Sequence, residues 1–154
     1  MKSSSNTQRF IVAALALMIS FHSFAFSGPD VETLLQQSFK QSFPNAENVT
    51  WNNDDNGGYT VSFSVKTILT RISYDSKGRF ISSLRNYSEQ LLPFFITNML
   101  KHKYPGDQIY GVTEITSPDD INYFVKLQSA KYWITVRIDN DGNSMVVEKY
   151  RKQE

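Results

Sequence analysis

The sequence predicts an α+β fold in which two tandem helix-plus-four-strand repeats form one antiparallel sheet of about eight strands, with both helices packed on one face. Two observations lead to this prediction. The spacing of apolar residues changes from about 3.6 to 2 twice along the chain, which indicates a helix followed by strands each time. The order of elements and turns then agrees between the two halves, which indicates an internal repeat. We place the repeats at about 30–86 and 87–154, within a single domain over 28–154.

The first repeat opens with a helix that begins after Asp30, a typical N-cap residue, and stops at Pro44. Alternating apolar and polar residues then predict strands, of which the clearest runs from Tyr59 to Lys66. Glycine-containing turns at 56–58 and 77–78 supply residues that tolerate positive φ. The predicted strands cover residues 49–53, 59–66, 68–74 and 79–84.

The second repeat opens with a helix whose first residue is Pro93, where a missing N–H has no cost, and which ends at Tyr104-Pro105. Its apolar face carries Phe95, Ile96, Met99 and Leu100. Polar turns at 117–120 and 140–142 separate the segments that follow. The predicted strands cover residues 108–116, 121–128, 131–139 and 143–149.

The two halves align with a constant offset in each kind of element. The helices match at an offset of 61, and the strands match at an offset of 64. The three additional residues fall in the turn before Tyr123. Agreement in order, residue type and insertion point favours a tandem duplication. The matched pairs include Phe39 with Leu100, Pro44 with Pro105, Val61 with Val125, Phe63 with Leu127, and Gly78 with Gly142.

The amino terminus has the organisation of a secretory signal peptide over residues 1–25. Lys2 and Arg9 precede an apolar run at 10–26, and small residues follow at Ala25 and Ser27. Cleavage after residue 25 or after residue 27 satisfies the small-x-small rule. An uncleaved anchor is the alternative, although the run is short and serine-interrupted for a membrane span of ~20 residues.

The amino-acid composition limits the possible cellular locations of the protein and the classes of partner that it could bind. The chain has no cysteine, which excludes a lipid-modified amino terminus, disulfides and thiolate metal sites. An exported domain without disulfides is typical of a bacterial envelope, so we predict a periplasmic or secreted location. Loss of Lys2 and Arg9 leaves 14 basic and 15 acidic residues, with no concentrated basic patch. Nucleic acid and anionic membranes are therefore not predicted as partners.

Several short motifs resemble the PepSY-like family of exported bacterial proteins, which is similar to the beta-lactamase inhibitor protein. They are the helix end Phe43-Pro44, the segment Val49-x-Trp51, the strand 59–63, the turn 75–78 and their second-half counterparts. The resemblance covers nearly all of the mature chain. It implies an envelope location, a two-repeat fold and a binding role. The resemblance implies no specific partner, because most of the family has no assigned function. This chain has no cysteines and has shorter repeats than the inhibitor, which argues against inhibition of beta-lactamase.

The residues offer little catalytic chemistry. One histidine remains after export, His102, and no His, Cys or Glu cluster surrounds it in sequence. The sequence contains no Gly-x-Ser-x-Gly nucleophile elbow and no phosphate-binding glycine loop. We therefore predict a protein that is not an enzyme and that uses no cofactor.

Acidic loops are the remaining candidates for a metal site. The segment 139–143 has a glycine at its fourth position, whereas a calcium loop of the EF-hand type needs glycine at the sixth, so we interpret it as a hairpin turn. Asp54-Asp55 and Asp119-Asp120 are open to two interpretations, a weak cation site or solvated loop carboxylates. No metal site is predicted.

The face of the sheet away from the helices is the predicted binding surface. If Val61 and Phe63 are buried, the first repeat presents Thr60, Ser62 and Ser64 on this open face. The second repeat presents larger side chains there, of types that dominate binding hot spots. The alternatives are that a terminal loop or a dimer partner covers this face, or that the register is shifted by one residue. The candidate binding residues are Phe124, Lys126, Trp133, Arg137 and, in the first repeat, Arg71.

Two functions are consistent with these observations. The first is an exported binding module, an inhibitor or partner of an envelope protein, that uses the open sheet face. The second is a sensor or carrier of a small ligand, a sugar or an apolar compound, that stacks on the same aromatic side chains.

Overall fold

A computed structural model describes residues 30–153, so the predicted signal peptide lies outside the described residues. No helix within 30–153 has the length and apolar character needed to cross a membrane. The described chain contains two α-helices, a short 3-10 helix at Glu89–Leu91 and eight strands. In order these are α1 Val31–Ser42, β1 Glu47–Asn53, β2 Tyr59–Val65, β3 Ile68–Tyr74, β4 Phe80–Tyr87, α2 Phe94–Lys103, β5 Gln108–Thr116, β6 Ile121–Gln128, β7 Tyr132–Ile138 and β8 Ser144–Arg151.

The eight strands form one open antiparallel sheet in the order β1 to β8, so each strand pairs with its neighbours in sequence. This confirms the predicted α+β class and the eight-stranded sheet. Strands β5 and β6 have the predicted bounds. Strand β1 begins earlier than predicted and β4 extends further, to Tyr87. We call α1 to β4 the first half and α2 to β8 the second half.

Helix α1 begins where the N-cap residue predicts it. The Asp30 carboxylate accepts a hydrogen bond from the Thr33 amide at 2.7 Å, and Glu32 adds a negative charge in the first turn. Phe39 is the buried residue of this helix. Its ring lies edge-on to Phe63 at 4.9 Å and to Trp51 at 5.6 Å, which fixes the helix on the sheet.

Helix α2 carries the larger core. Ile96 and Leu100 are fully buried and pack on the central apolar residues of β5 to β7. Pro93 occupies the N-cap rather than the first helical turn, because its ψ of 135° is extended; this corrects the predicted helix start. The buried strand residues of this core are Val112, Tyr123, Val125, Leu127, Ile134, Val136 and Ile138.

Cross-strand pairing shows that both helices cover the same face. Val61 pairs with Ile72, and Ile72 pairs with Ser83. Ser83 then pairs with Thr116 across the boundary between the halves. Directly paired residues point to the same side of a sheet, so the face under α1 continues under α2. The opposite face carries neither helix and is the open face.

Two hairpin turns at the same end of the halves are built alike. Asp75 accepts hydrogen bonds from the Lys77 and Arg79 amides at 2.9 Å, and Asp139 accepts them from the Asp141 and Asn143 amides at 3.0 and 2.9 Å. The third turn residue after each aspartate is a glycine at φ +76° or +84°. Because backbone N–H groups already donate to these two carboxylates, neither turn needs a bound cation to keep its shape. The segment 139–143 is therefore the hairpin turn that we predicted.

Candidate binding surface

The strand register places the predicted second-half residues on the open face. Val125 and Val136 are fully buried against α2, and the alternating neighbours Lys126 and Arg137 point the other way. Phe124 pairs directly with Arg137. A register shifted by one residue is thus excluded, and within residues 30–153 both helices lie on the opposite side of the sheet.

Trp133 lies at the centre of the surface. The Nζ atoms of Lys126 and Lys152 lie 5.2 and 5.1 Å from the centre of its ring, within cation–π range. The Tyr110 ring meets it edge-on at 4.9 Å, and Tyr150 is its cross-strand partner. We call Tyr110, Lys126, Trp133, Tyr150 and Lys152 the aromatic–lysine cluster. It draws on β5, β6, β7, β8 and the residue after β8.

A β-bulge brings Tyr110 into the cluster. Ile109 pairs with Leu127 on the helix side, but Gly111 pairs with Lys126 on the open side, and the register shifts between them. The additional residue in a bulge redirects neighbouring side chains. Tyr110 is consequently 64% exposed and lies over Trp133.

Polar side chains hold the rest of the surface in place. The Arg137 Nε donates to the Asn122 Oδ1 at 2.7 Å, and the Thr135 hydroxyl donates to Glu148 at 3.1 Å. Both bonds run along the open face beside the cluster. Arg137 is thus oriented by a side-chain amide, and no carboxylate of the described chain lies within ion-pair distance of it.

The electrostatics of the cluster favour anions. The Tyr150 hydroxyl raises the pKa of Lys126, and the Glu148 carboxylate and Tyr110 add to the rise, so this ammonium stays charged at neutral pH. Glu148 is the one acidic side chain on the open face of β5 to β8, since Glu114 lies on the helix side. Neither Lys126 nor Lys152 forms an ion pair with another of the residues 30–153.

Arg71 lies apart from the other predicted residues. It is on β3, three strand spacings from β6, which is roughly 14 Å along the sheet. Its Nε donates to the Ser62 hydroxyl at 3.3 Å, and it lines a shallow hollow of about 420 Å³ with Leu69 and Leu84. The structure therefore brings Phe124, Lys126, Trp133 and Arg137 together and leaves Arg71 in the first half.

Burial differs from the prediction in two places. Phe124 and Trp133 are half-buried among neighbouring side chains, and the more exposed aromatic residues of the aromatic–lysine cluster are Tyr110 and Tyr150, at 64% and 42%. Ser64 is not open to solvent, because the bulge in β1 brings Asn48 over it: the Asn48 amide donates to its hydroxyl at 3.1 Å and leaves Ser64 5% exposed.

Sequence reasoning did not identify Tyr110, Tyr150 or Lys152. The bulge at Gly111 reverses the alternation that would assign Tyr110 to a face. Strand β8 is an edge strand with exposed residues on both sides, so its sequence lacks the period-2 pattern that would place Tyr150. Lys152 follows the strand and is held by the bond from its amide to the Lys131 carbonyl at 2.9 Å.

The other residues considered for a catalytic or metal site are either exposed or hydrogen-bonded to residues close to them in sequence. His102 is exposed near the end of α2, and Asp54 accepts bonds from the Asn56 and Gly58 amides of its own turn, both at 2.8 Å. Asp120 accepts from the Asn122 amide at 2.7 Å. Residues 30–153 contain no group of three or more His, Cys, Asp or Glu side chains arranged to hold a metal ion.

Solved structures resemble this chain in fold. A DUF2874 family protein from Bacteroides ovatus has 18% sequence identity and a TM-score of 0.55, over 76% of this chain and 84% of that one. A BLIP-like protein from Bacteroides fragilis has 13% identity and a TM-score of 0.55, over 79% and 86% of the two chains. A candidate periplasmic protein from Bacteroides eggerthii has 15% identity and a TM-score of 0.56, over 80% and 88%.

These similarities show that the fold is BLIP-like, the fold class implied by the resemblance to the beta-lactamase inhibitor protein. No protein-family model matches the sequence, and no curated protein matches it.

Proposed function

We propose that this chain is an exported binding module without catalytic activity that engages a protein of the cell envelope through the open sheet face. The observation that carries the proposal is the aromatic–lysine cluster. Trp133 and two tyrosines converge there on a face that neither helix covers. Tryptophan and tyrosine side chains are, with arginine, the residue types that dominate protein-binding hot spots.

The export and family assignments belong to the same proposal. The signal-peptide pattern in residues 1–25 and the absence of cysteine favour a periplasmic or secreted protein that is not a lipoprotein. The short motifs around Trp51 and the turn 75–78 favour membership of the PepSY-like family. One of the solved proteins of similar fold is described as a candidate periplasmic protein, which is consistent with this location.

A tandem duplication is also part of the proposal. Residues at equivalent positions of the two halves are buried in the two cores, and the turns at Asp75 and Asp139 have the same hydrogen bonds. Duplication explains why each half contains one helix and four strands, and why short connections join the eight strands into one sheet. The equivalent buried pairs are Phe39 with Leu100, Val61 with Val125, Phe63 with Leu127, and Ile72 with Val136.

Trp133→Ala tests the proposed binding face. The purified protein is immobilised, envelope extract is passed over it, and bound proteins are quantified by mass spectrometry. We expect Trp133→Ala to lose the captured partner while its circular dichroism and Tm stay near those of the parent protein. Tyr132→Ala is the matched control, because Tyr132 is an exposed aromatic residue on the same strand that faces the helix side.

Capture that is retained by Trp133→Ala, or lost equally by Tyr132→Ala, would contradict the proposal. A Trp133→Phe variant keeps the test informative if the alanine variant unfolds, because it preserves an aromatic ring in the sheet. We expect this variant to fold and to retain part of the captured protein.

A small ligand is the second candidate function, favoured by one observation. A hollow of about 330 Å³ beside the cluster is lined by Tyr110, Phe124, Lys126 and Thr135, and such side chains stack on sugars and apolar rings. A thermal-shift screen separates the two functions. A bound sugar or apolar compound would raise the Tm further as its concentration rises, whereas a binding module for proteins would show no shift with such compounds.

A further inference from the structure

We infer that the partner presents an acidic segment, with Asp or Glu carboxylates placed against Lys126 and Lys152 and apolar atoms against Trp133. This inference rests on the proposed function and specifies the chemistry of the partner surface. It follows from how charge is distributed over the sheet and from which cations lack a carboxylate.

Lys126 on β6 and Lys152, the residue after β8, both lie beside Trp133. Both ammonium groups lie within 5.2 Å of the Trp133 ring centre, so two positive charges lie beside one aromatic ring. No carboxylate within residues 30–153 lies in ion-pair distance of either ammonium group, so neither positive charge is neutralised by a neighbouring acid. Two carboxylates from outside, one against each ammonium group, would neutralise these charges.

The acid already on this face does not fulfil that role. The Glu148 carboxylate accepts a hydrogen bond from Thr135 at 3.1 Å and acts on Lys126 only through the longer-range field. Arg137 lies on the same face of β7 as Trp133 and adds a third positive charge. Asn122 orients its side chain. The open face of β5 to β8 therefore has an excess of positive charge, although the mature chain as a whole is close to neutral.

The aromatic residues determine what else the partner needs. Tyr110 and Tyr150 flank the tryptophan and expose 64% and 42% of their surface. A carboxylate on a protein segment brings neighbouring side chains that can pack on these rings, whereas a free inorganic anion would leave them in water. The juxtaposition of paired ammonium groups with exposed rings thus favours an acidic protein segment over an isolated anion.

The helix side of the same strands supplies a matched control. The Lys149 Nζ lies 4.5 Å from the centre of the Tyr132 ring, which reproduces the lysine–aromatic contact outside the cluster. Lys149 pairs with Ile134 and so faces the helices. Reversing its charge alters the net charge of the protein as reversal of an open-face lysine does, without changing the proposed surface.

The test is a titration of the ¹⁵N-labelled protein with a hexaglutamate peptide at low salt, followed by the two tryptophan indole NMR signals. A Trp133→Phe variant assigns the signals. We expect hexaglutamate to shift the Trp133 signal and to leave that of Trp51 unchanged, because Trp51 packs under α1. Added NaCl should weaken the response, since exposed charges are screened.

Charge reversal gives the quantitative result. Two exposed ion pairs together correspond to roughly a tenfold change in affinity, so Lys126→Glu with Lys152→Glu should weaken binding at least that much. Lys149→Glu should stay within about twofold of the parent protein. If the reversed variant loses its dispersed amide spectrum, Lys126→Gln with Lys152→Gln replaces it, and the same tenfold loss is expected.

Three results would overturn the inference: no shift of the Trp133 signal, an equal loss with Lys149→Glu, or an equal response to inorganic phosphate or polygalacturonate. Such a result leaves the proposed function intact if Trp133→Ala still abolishes capture from envelope extract. Conversely, capture that survives Trp133→Ala contradicts the binding face itself, whatever hexaglutamate does.

Discussion

The Glu114 carboxylate is expected to be a major contributor to the stability of the boundary between the halves. It accepts a hydrogen bond from the Tyr87 hydroxyl at 2.6 Å and pairs with Arg85 at 3.1 Å. Tyr87 is 7% exposed and the Glu114 side chain 13%, so water cannot readily replace the carboxylate. Arg85 and Glu114 are cross-strand partners on β4 and β5, on the helix side of the sheet.

The expected loss in the free energy of unfolding follows from these exposed fractions. Glu114→Ala leaves the buried Tyr87 hydroxyl without an acceptor, which costs about 1–3 kcal/mol. The Arg85 pair adds at most about 1 kcal/mol, because the Arg85 side chain is 39% exposed and solvent screens it. We expect a loss of about 2–3 kcal/mol in the free energy of unfolding. Glu114→Gln keeps an oxygen for Tyr87 and should lose about 1 kcal/mol.

Urea denaturation followed by circular dichroism measures these differences, with the slope m unchanged. Arg79→Ala is the control, because Arg79 forms an ion pair with Asp75 but its side chain is 74% exposed, and its loss should cost less than about 0.5 kcal/mol. A Glu114→Ala variant as stable as Arg79→Ala would refute the reasoning. A double-mutant cycle with Tyr87→Phe should give a coupling energy of about 1 kcal/mol or more.

Two further predictions concern glycine and pH. Gly78→Ala should destabilise more than Gly142→Ala in the same urea assay: both have positive φ, but a Cβ at Gly78 would lie 3.0 Å from Val31 and one at Gly142 only 4.0 Å from Phe95. Equal losses would contradict this ranking. Burial and Glu114 raise the pKa of Tyr87 far above 10, so the unfolded chain ionises first and stability should fall as pH rises above about 10. Tyr87→Phe should make that fall shallower, and an unchanged slope would contradict the assignment.

The sequence predicts those elements whose residues alternate strictly. In β6 and β7, every second residue from Tyr123 and from Ile134 is buried, so pattern alone gives their faces and the position of Trp133. A strand between two neighbours with one covered face has no other way to bury its apolar residues. This is why four of the five predicted binding residues lie on one part of the open face.

The residues that the sequence did not place correctly lie at bulges or on an edge strand, where alternation does not hold. Bulges in β1 and β5 change which face a residue occupies, and they depend on pairing with another strand rather than on local sequence. Tyr110 was not identified for this reason, and Ser64 lies on the predicted face but is covered by Asn48. The edge strand β8 has little burial to produce a pattern, so Tyr150 could not be placed by alternation. The members of the cluster come together through contacts between strands, which local sequence patterns do not reveal.

The location of the cluster in the second half is itself an argument for a role outside folding. The strand positions of Lys126 and Trp133 correspond, at the offset of 64, to Ser62 and Leu69 in the first half. Both halves form four paired strands around buried residues, so a four-strand unit of this kind does not require a tryptophan or a lysine on its open face. In the first half, Ser62 instead accepts a hydrogen bond from Arg71. This difference between the halves supports the proposal that the open face of the second half binds a partner.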